Sequence, residues 1–196
     1  MRSLSGAARM GSAALVRTRP TARCAVLRCG LAAPRRRAAD AERVQGADAV
    51  RYSTAGLGRV FVVRLDDGDV VHDSIEELAQ REGLVRAVVL VLGGADDGSR
   101  VVVGPADGRA AVIEPMERVL EGVHEMAGVG TLFPDASGRP SLHLHAAFGR
   151  GDTVTAGCIR LGVTTWVVGE VVIIELTGND AVRHRDDATG FELLEP

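Results

Sequence analysis

Between Ser141 and Leu161 the chain reads SLHLHAAFGRGDTVTAGCIRL, and Leu142, Leu144 and Ala146 alternate with His143 and His145. A period of two fits a strand and no helix, because successive side chains of a strand point to opposite faces. The run Gly149-Arg150-Gly151-Asp152 supplies turn chemistry, so the stretch predicts a β-hairpin. Both histidines then share one face. With the turn centred between Arg150 and Gly151, Phe148 faces Thr153, His145 faces Ala156 and His143 faces Cys158. Two imidazoles and a thiol are thereby placed on one side of a sheet, where opposed Cβ atoms lie about 5 Å apart. Zn–N and Zn–S bonds are about 2.0–2.3 Å long, so one transition-metal ion can bridge all three. The competing reading is an ordinary amphipathic strand with a small buried thiol. A slip of one residue would send Cys158 to the other face.

The remaining segments predict more strands than helices. Arg59 to Leu65 (RVFVVRL) is β-rich and ends in the turn Asp66-Asp67-Gly68-Asp69. A helix follows, with Asp73 as its N-cap, Glu76 completing a capping box, Ile75, Leu78 and Ala79 as the apolar stripe, and Gly83 as the stop. Val85 to Leu92 (VRAVVLVL) is nearly all apolar and reads as a central strand covered on both faces. Gly93-Gly94-Ala95-Asp96-Asp97-Gly98 breaks the chain, but it lacks the lysine of a phosphate-binding P-loop and carries two carboxylates. Arg100 to Val103 forms a short strand, and Glu117 to Phe133 is ambiguous between a helix and a bent strand, with Gly122, Gly128 and Gly130 arguing for a strand with bulges. Thr164 to Leu176 (TTWVVGEVVIIEL) is the longest β-run, with Glu170 set among apolar residues. Such a carboxylate is either partnered or on an open face, since burying it alone is very costly. The charged end from Arg183 carries Phe191, Leu193 and Leu194, a short docking tail.

Composition separates the chain into two parts. Residues 1–49 hold ten arginines against Asp40, Glu42 and Asp48, whereas residues 50–196 hold thirteen against twenty-three acids, a formal charge of −10. The first part is rich in Ala, Arg and Gly without an apolar period, and is expected to be a disordered extension. Three readings of it are open: an organelle transit peptide, a basic nucleic-acid tail, or an upstream start preceding translation from Val50, which is the reading favoured here. Cys24 and Cys29 lie in it without a second pair to complete a structural zinc site. The second part, residues 50–196, is long enough for one domain. Apolar residues make up 46% of the whole chain but aromatic ones only 3%, so aliphatic packing in a sheet-rich α/β architecture is expected. No apolar run approaches the length of about 18 residues that a membrane span needs. Cys158 as a single thiol suits a reducing compartment, and a cytoplasmic location is expected, or an organelle if residues 1–49 are a transit peptide.

Taken together, RVFVVRLDDGD, the helix SIEELAQREGL, LGGADDGSRVVVGP, LEGVHEMAGVGTLF, LHLHAAFGRGD and GEVVIIEL make residues 51–196 resemble the PPC domain family. This is the plant-and-prokaryote conserved domain that plants attach to AT-hooks. The resemblance implies a single α/β (α+β) domain with a bent, mostly antiparallel sheet and one or two packed helices, assembled as a homotrimer. In many prokaryotic members the histidine pair, here His143 and His145, is followed by Gly-Gly-His on the next strand, where this sequence has Ala156-Gly157-Cys158. A divalent metal, zinc above all, is therefore expected on His143, His145 and Cys158, with a fourth position open to a small ligand. Glu170, Glu125 and His124 are candidates for a supporting shell or a general base. Family members are also described as DNA-binding by analogy with the AT-hook proteins. This chain lacks an AT-hook core, and the acidic residues 50–196 offer no basic stripe, so nucleic acid is not an expected partner of that part.

Overall fold

The computed structural model describes residues 50–110 and 112–196, so the expectations for residues 1–49, Cys24 and Cys29 included, lie outside the described residues. In chain order the described elements are β1 (Gly56–Asp66), α1 (Val71–Glu82), β2 (Ala87–Ala95), β3 (Arg100–Pro105), β4 (Pro115–Val119), β5 (His124–Pro134), β6 (Pro140–Arg150), β7 (Thr153–Cys158), β8 (Thr165–Thr177), β9 (Val182–Arg185) and β10 (Glu192–Glu195). Eight strands form one open sheet in the order β1-β8-β2-β5-β6-β7-β3-β4, and β9 pairs with β10 in a separate hairpin. Every strand pairing is antiparallel.

The helix α1 covers one face of the sheet. Val71, Ile75 and Ala79 recur every four residues and are fully or almost fully buried, which is the stripe an amphipathic helix presents to a sheet. They join Leu65, Val89, Val91, Leu132, Leu142, Leu144, Phe148, Val171 and Ile173 in the core. Gly83 ends the helix in the left-handed conformation at φ 62°. Its amide and that of Leu84 return to the carbonyls of Gln80 and Ala79, the Schellman arrangement that glycine favours. The start of the helix departs from expectation. Val70, without a side-chain cap, precedes the first turn and Asp73 lies inside it. Burial of Val71 outweighs the local capping signal and extends the helix. Glu76 is thus free to accept the Leu142 amide at 2.7 Å, tethering α1 to β6.

Two strand readings also change. Glu117 to Phe133 is two strands, β4 and β5, because Gly122 turns the chain at φ 78° and its amide donates to Asp97 Oδ1. Gly128 and Gly130 are unbulged: β5 stays in continuous register with β2 and β6, and a Cβ at Gly130 would lie 2.7 Å from Leu144 Cβ and His143 O. Strand β2 is covered on one face only. Ala87, Val89 and Val91 are buried beneath α1's layer, whereas Leu90 and Leu92 remain 44% and 55% exposed. The expected docking tail is strand β10, with Leu194 beside Arg183 and Leu193 beside His184 in the β9 register.

Candidate metal centre

The hairpin of β6 and β7 turns at Gly151, whose φ of 57° suits the first central position of a type II′ turn. Pairing runs from Arg150 with Thr153 to His145 with Cys158. The observed register is displaced by two residues from the predicted one, so Cys158 faces His145 rather than His143. Glycine at position 151 pulls the turn one residue further along. An even displacement keeps every side chain on its predicted face.

His143 Nε2 and His145 Nε2 are 3.0 Å apart, with the rings edge-to-face at 75° and centroids 4.9 Å apart. One ring nitrogen of each histidine and Cys158 Sγ all lie within 4.8 Å of one another. The histidines are exposed, whereas Cys158 is buried without belonging to the main core. Gly157 explains its seat. A Cβ there would lie 2.5 Å from Val102 O, so only glycine admits β3 close enough for Val102 to pair with Cys158.

Two arginines complete the surroundings, and the sequence reading missed both. Arg160 Nε donates to Cys158 Sγ at 3.2 Å. Arg183, buried on β9, donates from Nη2 to Thr131 Oγ1 at 2.9 Å and lies over the Phe133 ring. Thr131 is the β5 residue opposite His143. Loss of water around the ring, then the charges of Arg183 and Arg160, push the His143 pKa below its ordinary value. For His145 the causes are loss of water, then His143 and Arg160. Arg160 carried a local signal, being two residues beyond the cysteine. Arg183 carried none, because only the packing of β9 brings it here.

The candidate supporting residues are placed elsewhere in the chain. His124 is on the core face of β5, donating from Nδ1 to the Gly122 carbonyl at 2.9 Å. Glu125 shares the open face but is four residues from Val129, the partner of His145, which is about 13 Å along a strand. Glu170 is also on the open face, on β8, which β2 and β5 separate from β6. The structure does not bring these three together with His143, His145 and Cys158.

Two imidazole nitrogens and one thiolate sulfur suit zinc or a similar borderline ion, and the absence of a carboxylate from the cluster disfavours magnesium and calcium. The donor set therefore fits the expected metal, leaving at least one coordination position for another ligand.

The sequence profile of the Plants and Prokaryotes Conserved (PCC) domain matches residues 52–177. The chain belongs to this family. Solved structures share the PCC fold, among them a plant- and prokaryote-conserved protein from Pyrococcus horikoshii, 21% identical, covering 75% of this chain and 98% of its own, with a TM-score of 0.65. A metal-containing protein from Archaeoglobus fulgidus is 24% identical over 74% of this chain and 98% of its own, with a TM-score of 0.63. A candidate DNA-binding protein from Ralstonia eutropha is 22% identical over 68% of this chain and 88% of its own, with a TM-score of 0.53. No curated protein matches the chain. Among the described residues of this PCC-domain chain, no helix is long and apolar enough to cross a membrane.

Proposed function

We propose that the chain is a cytoplasmic, homotrimeric PCC-domain protein that holds one zinc ion per subunit on His143, His145 and Cys158 and binds or acts on a small ligand there. The observation that carries this reading is the approach of the three ligand atoms to within 4.8 Å of one another. The similarity to a metal-containing archaeal protein supports it. The chemistry such an ion supplies is Lewis acidity toward a ligand oxygen. The chain's own part is to fix two donors on one strand, hold the third on its neighbour, and keep the cluster open on one side. Exposed apolar residues beside the cluster support assembly, because monomers rarely leave a large apolar patch bare.

Elemental analysis of full-length protein purified with zinc supplied is expected to give about one zinc per chain, as three protein donors to one ion require. His143→Ala, His145→Ala and Cys158→Ala should each weaken zinc binding at least about 100-fold, beyond what loss of an outer-shell partner does. Metal-free wild-type protein, or a Cys158→Ala variant with full affinity, would overturn the reading.

The likeness to a candidate DNA-binding protein motivates a second reading, nucleic-acid binding. The excess of acids in residues 50–196 opposes it. Duplex binding measured at two salt concentrations, with full-length chain and with chain lacking residues 1–49, separates the two. Tight, salt-sensitive binding by the shorter chain would favour DNA.

A further inference from the structure

We propose that the small ligand of this site is an anion, a molecule carrying a carboxylate or phosphate whose oxygens are gripped by Arg160 beside His143, His145 and Cys158. The inference rests on the metal reading above and names the ligand's chemical class.

Charge balance leads to it. A divalent ion on two neutral imidazoles and one thiolate keeps a net positive charge, and Arg160 and Arg183 add theirs. No carboxylate belongs to the cluster. Neither arginine is in an ion pair among the described residues, although Glu192 acts on Arg183 from longer range. Positive charge is thus gathered at one point of a sequence region in which acids outnumber arginines twenty-three to thirteen. Two cations beside a metal site also oppose metal binding, so the arrangement is balanced only when something negative arrives.

The two guanidiniums have different parts. Arg183 is buried, fixed by Thr131 and Phe133, with its Nε unpartnered, and it supplies a stationary charge. Arg160 is exposed and uses Nε on the cysteine sulfur, while its two terminal nitrogens have no protein acceptor among the described residues. That outer edge of the planar fork matches the spacing of carboxylate or phosphate oxygens. An anion there would sit beside the open coordination position.

The test loads full-length protein with cobalt(II) and titrates it at fixed ionic strength with inorganic phosphate and, separately, with acetate. A saturable change in the cobalt visible spectrum is expected from at least one of them, and the tighter anion identifies the headgroup. Arg160→Gln should raise the half-saturating concentration about tenfold, as loss of charged hydrogen bonds does, while still taking up cobalt. Arg64→Gln, an exposed arginine on β1, should leave it unchanged. In protein that has taken up cobalt, no spectral response to either anion, or equal half-saturating concentrations for the two variants, overturns the proposal. The same titration on metal-free protein follows the His143 and His145 ring resonances. A chain that takes up no cobalt sinks the metal reading alone. The anion proposal then stands if the rings respond and Arg160→Gln abolishes the response, and falls if they do not.

Discussion

Cys158 has the burial of a core residue and the neighbours of a ligand. Its sulfur receives an arginine N–H at 3.2 Å and stands opposite His145, whereas the buried aliphatic side chains gather on the other face. Imidazole and thiolate are both zinc donors, so Cys158→His should retain zinc. With cobalt(II) the wild type should show the near-ultraviolet band of thiolate-to-metal charge transfer, and Cys158→His should lose it while still binding the ion. A wild-type complex without that band would exclude sulfur as a ligand. The residues of the trio were legible from the sequence because strand periodicity fixes facing, and facing survives an even displacement. The arginines were not, since an arginine's neighbours depend on which distant element packs beside it.

At the level of elements, the seat of the cluster depends on β3 closing against β7. Gly157→Ala would set a Cβ 2.5 Å from Val102 O, a backbone atom that cannot rotate away. The variant should lose about 1–3 kcal/mol of stability, the usual range for overpacking, measurable by urea unfolding, and should bind zinc more weakly as Cys158 moves from His145. Edge strand β1 has a different anchor. Arg59 meets Glu175 of β8 at 2.9 Å and also donates to the Glu82 carbonyl at the end of α1. Its hydrogen bonds hold the Glu175 carboxyl down to about 2 from the ordinary 4.5. A depressed carboxyl pKa stabilises the fold above the unfolded value, and that contribution is lost as pH falls through the folded one. The melting temperature should therefore drop as pH is lowered from about 4.5 to about 2, and Glu175→Gln should lessen the drop. An unchanged profile in the variant would remove this ion pair from the account. Strands announced themselves by alternation, but the helix start and the break at Gly122 did not. The first depends on where Val71 is buried, and the second on a hydrogen bond that the Gly122 amide donates to Asp97, far away in sequence.

Across the whole molecule, the unexpected feature is the uncovered face. The continuous apolar run of β2 suggested burial on both sides, yet α1 covers only one. On the other, Val62, Val172, Leu90 and Val129 lie in register from β1 to β5 and lead directly to His145 and Cys158. If the chain is a trimer built on this face, Val129→Glu, at a position 57% exposed in the single chain, should yield monomers in sedimentation at micromolar concentration without unfolding. Persistence of the trimer would move the interface elsewhere. The register has a thermodynamic corollary. Any partner that covered the apolar row would also remove water from the imidazoles at its end, so such a cover and a metal bound there would not be independent ligands of the protein. By linkage, any factor by which the cover tightens metal binding is the factor by which the metal tightens the cover. An apparent metal affinity measured for this chain would then vary with protein concentration, and a chelator would act as a dissociating agent.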